Sequence, residues 1–223
     1  MSLVSIIDYG SGNLRSVYNA VKKVMTKNTK CKQVIVTNKS SEILRSSHII
    51  LPGVGSFKSC LNGVYSSPGL YESIQENTIV KLRPFLGICV GMQMMANKGY
   101  EEGERNGFGW IDGDVRLIKP ENASYKIPHI GWNNLKIKKK NKFIDLILRE
   151  KKFIKQEINA YFVHSYAFEL KNKEDEIIST NYGKNITAMI GKKNILGTQF
   201  HPEKSQLFGQ NFLKAFLTWE GQQ

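Results

Sequence analysis

The chain has 223 residues, 41% of them hydrophobic and 23% charged, which is enough length and apolar content for one domain with a large core. It contains no run of about 18 apolar residues, and its start lacks a charged n-region and a long apolar run, so we expect neither a membrane span nor a signal peptide. The net charge of +13 is compatible with a nucleic-acid surface, but no aromatic residue interrupts the lysine cluster at positions 136–142, so we expect solvated faces and no nucleic-acid partner.

The first half of the chain alternates short apolar runs with amphipathic segments. This alternation predicts an α/β fold with a doubly wound, mostly parallel sheet flanked by helices, in which functional sites lie at the carboxyl ends of strands. The predicted strands are Leu3 to Ile7, Val34 to Thr37, His48 to Leu51 and Phe85 to Ile88, and the predicted helices span residues 14–25, 57–64 and 70–78.

A glycine-rich turn, Pro52-Gly53-Val54-Gly55, follows the third predicted strand. A turn of this kind can direct backbone N–H groups at the negatively charged oxygen that develops during a reaction. The same residues also suit an ordinary strand-to-helix loop, so the turn alone does not establish a site.

The fourth predicted strand runs into Cys89, which Gly87 and Gly91 flank in a G-x-C-x-G pattern, and a helix is expected from position 92. A strand, a sharp turn with a nucleophilic side chain and then a helix form a nucleophile elbow, in which the helix start favours a thiolate. Taken alone, Cys89 suits a small buried apolar residue equally well. Cys31 and Cys60 carry no motif, and three cysteines make no disulfide framework, which fits a reducing cytoplasm.

From Val115 the pattern changes to closely spaced strands, which predicts additional mixed or antiparallel strands in the second half. Neither a linker nor a repeat separates the halves, so we expect residues 1–223 to form a single domain. The predicted strands span residues 116–118, 134–137, 161–168, 177–179, 187–190 and 195–200, with a helix at 143–155 and a last helix after Ser205 that buries Phe208, Phe212, Ala215, Phe216 and Trp219.

The segment His201-Pro202-Glu203 ends the last predicted strand. Proline disfavours helix at the residue before it, so His201 and Glu203 are expected to stay extended, with both side chains on the same side of the chain. A carboxylate beside an imidazole holds its tautomer, and the imidazole can take the proton of a thiol. Cys89, His201 and Glu203 are therefore predicted to form a catalytic triad.

Motifs in three places, in this order along the chain, resemble the class I glutamine amidotransferase family. Three further segments are similar to one subfamily, the glutaminase subunits of imidazole glycerol phosphate synthase. The family motifs are residues 51–57 (LPGVGSF), 87–93 (GICVGMQ) and 199–205 (QFHPEKS), and the subfamily segments are residues 8–13 (DYGSGN), 129–133 (HIGWN) and 162–166 (FVHSY), within a resemblance that extends from Ile6 to about Trp219.

The resemblance implies an enzyme that hydrolyses glutamine to glutamate and ammonia through a cysteine thioester, with no cofactor and no metal. Cys89 would attack the side-chain carbonyl carbon, His201 would move the proton and Glu203 would orient His201. The residues implied to supply oxyanion donors are Gly53, Val54 and Val90.

The resemblance also implies residues that hold the substrate and residues that face a partner. Glu101 is an alternative to Glu102 in the substrate group, because the loop around it is longer than the family's. The implied substrate-binding residues are Gly55, Gln93, Glu102, Ser165 and Tyr166. Ammonia would pass to a separate (β/α)8-barrel cyclase in a heterodimer that serves histidine biosynthesis, and the residues implied to face that cyclase are Asn13, Trp132, Tyr161 and Lys204.

Three alternatives stay open. A paralogue could feed ammonia to a different synthase, such as a sugar-modifying one, and would share the triad. A glutaminase of GMP or pyridoxal phosphate synthesis is disfavoured by the segments at residues 8–13 and 162–166. A non-catalytic basic binding protein on the same fold is disfavoured because all three triad residues are present.

Overall fold

The computed structural model of the protein describes residues 2–122, 124–149 and 158–221. Within those ranges no helix is both long enough and apolar enough to cross a bilayer. The strands are β1 (Leu3–Ile7), β2 (Gln33–Thr37), β3 (His48–Gly53), β4 (Phe85–Cys89), β5 (Lys98–Gly99), β6 (Arg105–Asn106), β7 (Gly113–Leu117), β8 (His129–Asn134), β9 (Lys136–Ile137), β10 (Asn159–His164), β11 (Tyr166–Leu170), β12 (Glu176–Asn181), β13 (Asn185–Lys192) and β14 (Ile195–Thr198). The α-helices are α1 (Leu14–Val24), α2 (Ser40–Arg45), α3 (Phe57–Ser66), α4 (Leu70–Gln75), α5 (Val90–Gln93), α6 (Lys142–Leu148) and α7 (Gln206–Phe216), with a π-helix at Glu76–Val80 and 3-10 turns at Lys173–Asp175 and Pro202–Lys204.

Eight of these strands form the main sheet, in the order β2-β1-β3-β4-β14-β13-β12-β9. The neighbours from β2 to β14 are parallel, and those from β14 to β9 are antiparallel. Strands β10 and β8 form a separate pair, and β11-β7-β5-β6 form a four-stranded sheet. The predicted α/β fold, a parallel sheet flanked by helices with antiparallel strands from the second half, is confirmed.

The central strands β3 and β4 are buried along their whole length. Helices cover both faces of a parallel sheet, so its central strands are continuous apolar runs rather than alternating ones. One hydrophobic cluster extends from Val4 in β1 to Trp219 after α7. Both halves of the chain therefore contribute to the same core, and the apolar stripe predicted for the last helix is buried in it.

The strand predicted at residues 161–168 is wrong, because the chain changes sheets within it. β10 ends at His164 and pairs with β8, whereas β11 begins at Tyr166 and pairs with β7. Between them, the Ser165 carbonyl accepts a hydrogen bond from the Ile118 N–H at 2.9 Å. Strand-forming residues continue on both sides of the break, so the pattern of hydrophobic residues does not mark it.

Other predicted boundaries also need correction. Residues 134–137 are not one strand, since Leu135 separates β8 from β9 and its N–H donates to the Ile158 carbonyl at 2.7 Å. The helix expected from position 92 instead begins at Val90, directly after Cys89. The helix predicted at 143–155 corresponds to α6 up to Leu148, and positions 150–157 lie outside the described residues.

The carboxyl ends of β3, β4 and β14 meet beside Cys89. In the sheet register, Gly53 of β3 lies next to Cys89, and Thr198 of β14 lies next to Ile88. A Cβ atom on Gly91 would lie only 1.9 Å from the Leu51 carbonyl oxygen, so only glycine lets α5 start this close to β3.

We predict that Gly91→Ala destabilises the protein by about 1–3 kcal/mol, because the added methyl group forces β3 and α5 apart. Unfolding in urea measures this change. Asn62→Ala, at an exposed position of α3, is the control and should change stability by less than about 0.5 kcal/mol. Equal stability of the two variants would contradict the close approach of the elbow to β3.

Candidate active site

Cys89 has the backbone geometry of a nucleophile elbow. It is the last residue of β4, and its φ of 55° and ψ of −111° are strained for a residue with a side chain. Val90 follows as the first residue of α5, so its N–H has no carbonyl partner within that helix. The predicted elbow therefore presents a thiol and a backbone donor at the same place.

His201 and Glu203 form the second part of the site. The Nδ1 atom of His201 donates to Oε1 of Glu203 at 2.8 Å, and the two side chains are only 3% and 1% exposed. Pro202 begins a 3-10 turn that carries Glu203, so the expectation that Glu203 stays extended is wrong. Proline is tolerated at the first position of a helical turn, where a missing N–H costs nothing. The turn brings the carboxylate back onto the imidazole.

Opposing effects act on the pKa of His201. Burial lowers it, but the neighbouring Cys89 sulfur and Glu203 carboxylate outweigh burial and raise the pKa of His201 to about 10. Its Nε2 atom is buried and has no regular hydrogen-bond partner among the described residues, although Cys89 is near enough to affect its charge. The His201 ring is thus held in its positively charged form at neutral pH.

A second cysteine–histidine pair provides a contrast. The Sγ atom of Cys31 lies 3.1 Å from Nδ1 of His48, whose Nε2 donates to the Trp219 carbonyl at 2.9 Å. Burial lowers the pKa of His48 to about 4 and raises the pKa of Cys31 to about 11. Here the ring donates to a neutral carbonyl instead of a carboxylate, and the pair stays uncharged.

Two glutamine side chains connect the Tyr166 carbonyl to the Cys89 sulfur. Gln93 Nε2 donates to the Tyr166 carbonyl at 3.0 Å and to Oε1 of Gln199 at 3.1 Å. Nε2 of Gln199 in turn lies 3.6 Å from the Cys89 sulfur. The motif-based prediction does not single out Gln199, because its position beside the sulfur depends on its contact with Gln93 of α5.

Cys89 and His201 line a cleft of about 220 Å³. This volume is below the range of about 300–1,000 Å³ that is usual for drug-sized ligands, and it suits a free amino acid. The structure brings four of the predicted substrate-binding residues into the cleft lining, namely Gly55, Gln93, Ser165 and Tyr166.

The fifth residue predicted to bind substrate, Glu102, does not line the cleft. Its neighbour Glu101 lines the cleft and accepts the Phe57 N–H at 2.7 Å, and burial raises the pKa of Glu101. Glu102 is exposed and has a φ of 55°. The chain therefore turns tightly at Glu102, and Glu101, the alternative that the sequence left open, faces the cleft.

The turn predicted to supply oxyanion donors lies against the elbow. An added Cβ on Gly53 would lie 2.8 Å from the Cβ of Val90, so the two predicted donor segments are adjacent. The Tyr9 hydroxyl donates to the Pro52 carbonyl at 2.6 Å, and the Ser11 hydroxyl donates to the Val54 carbonyl. The peptide between Gly53 and Val54 therefore lies between two carbonyl groups, each of which accepts a hydrogen bond from a side-chain hydroxyl.

Three of the residues predicted to face a partner lie together at the edge of the cleft. The Trp132 and Tyr161 rings are 6.2 Å apart, and Nζ of Lys204 lies 5.6 Å from the Tyr161 ring centre. Trp132 is 47% exposed, which is unusual for tryptophan, and Lys204 also lines the cleft. Asn13, the fourth of these residues, lies immediately before α1.

Sequence comparisons find close relatives over the whole chain. The imidazole glycerol phosphate synthase subunit HisH of Brucella melitensis is 44% identical over 217 residues, which is 97% of this chain and 99% of the relative. The subunit of the same name from Rhodospirillum rubrum is 42% identical over 216 residues, 97% and 98% of the two chains.

Structural comparisons and a family model agree with these relatives. A glutamine amidotransferase from Thermotoga maritima has a TM-score of 0.55 at 18% identity, covering 91% of this chain and 76% of that one. The glutaminase domain of Trypanosoma brucei CTPS has a TM-score of 0.62 at 15% identity, covering 97% and 94%. These distant structures show the shared fold. The model of glutamine amidotransferase class-I matches residues 5–218, and the chain belongs to that family.

Proposed function

We propose that this chain is the glutaminase subunit of an imidazole glycerol phosphate synthase and supplies ammonia for histidine biosynthesis. The buried Cys89–His201–Glu203 arrangement, opening into a cleft of amino-acid size, carries the proposal. The relatives named imidazole glycerol phosphate synthase subunit HisH, at 42–44% identity over nearly the full chain, support the choice of pathway.

In the proposed reaction, the proton of the Cys89 thiol has moved to His201 at the start, so Cys89 attacks as a thiolate. The sulfur forms a bond to the side-chain carbonyl carbon of glutamine, and the carbonyl oxygen becomes an oxyanion. The Val90 N–H and the Gly53–Val54 turn stabilise that oxyanion. The intermediate then collapses, and His201 gives its proton to the departing nitrogen, which leaves as ammonia.

The second half of the reaction hydrolyses the thioester. Neutral His201 now removes a proton from water, the hydroxide attacks the carbonyl carbon, and the carbon–sulfur bond breaks to release glutamate and the thiolate. Glu203 stabilises the charged imidazole at the start and end of the cycle and fixes which ring nitrogen faces Cys89. The reaction consumes one glutamine and one water and needs no other reactant.

The cleft residues hold the substrate in this proposal. The Glu101 carboxylate binds the α-ammonium group, because a partly buried carboxylate with a raised pKa is stabilised by a nearby cation. Gly55, Ser165 and Tyr166 contact the rest of the glutamine, and Gln93 positions it beside the nucleophile.

The ammonia passes to a (β/α)8-barrel cyclase in a heterodimer. The exposed Trp132, with Tyr161 and Lys204, suits such an interface, because aromatic residues and a cation combine apolar area with charge beside the cleft. Asn13, in the loop before α1, is a further proposed interface residue. We also propose that the chain is one domain and that it works in a reducing compartment such as the cytoplasm, since the nucleophile must be a free thiol.

The first prediction from the proposed function concerns the nucleophile. Cys89→Ser should lower glutamine hydrolysis by at least about 10³-fold, because a serine hydroxyl is not ionised by His201. Cys31→Ser and Cys60→Ser are matched controls and should retain activity, since burial raises the pKa of both thiols. A glutamine-like electrophile should label wild type and both controls. Labelling of the Cys89→Ser variant would contradict the assignment.

The second prediction concerns Glu203. Glu203→Gln should lower the pKa of His201 from about 10, because an amide no longer stabilises the imidazolium. The wild-type ring therefore keeps its proton through neutral pH and loses it near pH 10, and the variant ring loses it at lower pH. NMR titration of the His201 ring measures the shift. Glu169→Gln removes the same charge at an exposed surface pair and should leave the titration unchanged; an unchanged Glu203→Gln titration would contradict the role of Glu203.

The third prediction concerns control by the partner. Two glycines allow the Gly53–Val54 peptide more than one orientation, and one lost oxyanion donor costs about 2.7–4 kcal/mol, or about 10²–10³ in rate. We expect the isolated chain to be a poor glutaminase, and the cyclase with its nucleotide ligand to favour the orientation with the Val54 N–H directed inward. Glutamate release with and without partner and ligand measures this, and ammonium salt given to the partner alone should bypass Cys89. A full rate from the chain alone would contradict gating and leave the triad assignment intact.

A further inference from the structure

Gln199 is a buried amide that ends beside the sulfur of the nucleophile. It follows β14 directly, its exposure is 0%, and its backbone N–H donates to the Ala188 carbonyl at 2.9 Å. His201, two residues later, donates its N–H to the Tyr161 carbonyl at 2.9 Å. Both backbone positions are fixed, so both side chains reach the elbow from the short segment that follows β14.

The hydrogen bonds of Gln93 determine which way the Gln199 amide points. A side-chain NH₂ group only donates, so the Gln93 nitrogen must meet oxygen atoms, and it meets the Tyr166 carbonyl and Oε1 of Gln199. With its oxygen engaged there, Gln199 turns its own NH₂ group to the Cys89 sulfur at 3.6 Å. The opposite orientation would place two NH₂ groups against each other.

We propose that Gln199 is a further catalytic residue, whose amide N–H donates to the Cys89 sulfur and stabilises the thiolate. This inference rests on the proposed function. A neutral thiol sulfur is a weak acceptor, whereas a thiolate accepts a charge-assisted bond, so the contact strengthens when Cys89 ionises. The Val163 carbonyl, 4.0 Å from the same sulfur, can only accept and therefore favours the thiol. Gln199 opposes that preference, and Gln93 is the positioning residue that orients it.

The test is the pH dependence of Cys89 alkylation in the full chain, with iodoacetamide as the probe and Cys89-specific peptide mass spectrometry as the readout. Gln199→Met removes the donor at similar length, and Gln199→Glu replaces it with an oxygen that repels a thiolate. Asn194→Leu is the matched control, since Asn194 is a buried amide that donates to the Thr78 and Arg83 carbonyls, at 2.8 and 2.7 Å, away from the site.

The pH midpoint of alkylation should rise by about one unit in Gln199→Met, and further in Gln199→Glu, because a hydrogen bond to a charged group is lost. The plateau rate above the midpoint should be retained, and the midpoint of Asn194→Leu should equal that of wild type. Unchanged midpoints in both Gln199 variants, or slowing that is equal at every pH, would overturn the inference alone. Wild-type Cys89 that reacts no faster than Cys31 would overturn the proposed function and this inference with it.

Discussion

The chemistry of the site depends on one buried contact, between the His201 ring and the Glu203 carboxylate. Burying a carboxylate without a cation is costly, so the folded protein favours the form of the ring that carries a positive charge. The second oxygen of Glu203 has no hydrogen-bond partner among the described residues, which makes the ring its main source of compensation. The pair of Cys31 and His48 shows the opposite outcome: without a carboxylate, burial keeps both groups neutral.

The residues of the site are positioned mainly by the strands and backbone hydrogen bonds around them, and not by long networks of side chains. Strands β3, β4 and β14 end side by side, and each leads into one part of the site: the turn proposed to supply oxyanion donors, the proposed nucleophile Cys89, and the segment of Gln199 and His201. Ser205 ties the last segment to β10, since its hydroxyl oxygen accepts the Tyr161 N–H at 3.0 Å and donates to the His201 carbonyl at 2.7 Å. Movements of β10, which carries Tyr161 at the proposed interface, therefore act directly on the backbone of His201.

Prediction from the sequence succeeds where the residues of one short segment determine its structure. Leu3–Ile7 is predicted to the residue, because four of its five residues are apolar and turn residues follow it at Asp8 and Gly10. The pairing of His201 with Glu203 is also found, although for a partly wrong reason: a 3-10 turn, and not an extended chain, brings them together. Proline excludes helix before itself but permits a helical turn that starts at it.

Prediction from the sequence fails where contacts between segments far apart in the chain determine the local structure. The change of sheet at Ser165 depends on pairing with β8 and β7, which are far away in the chain. The choice between Glu101 and Glu102 depends on the conformation of an extra loop residue, and Gln199 becomes visible only when Gln93 is placed beside it. Each of these features depends on a contact between two elements. The spacing of hydrophobic residues within one helix or strand cannot predict such a contact.

The central claim is that the resting site holds His201 in its charged form beside Glu203. The most direct measurement is the pair of ¹⁵N chemical shifts of the His201 ring in the full chain at neutral pH. The account predicts two similar shifts, both typical of a protonated ring nitrogen, because the pKa of His201 is raised to about 10. Two widely separated shifts, as in a neutral ring with one unprotonated nitrogen, would contradict it.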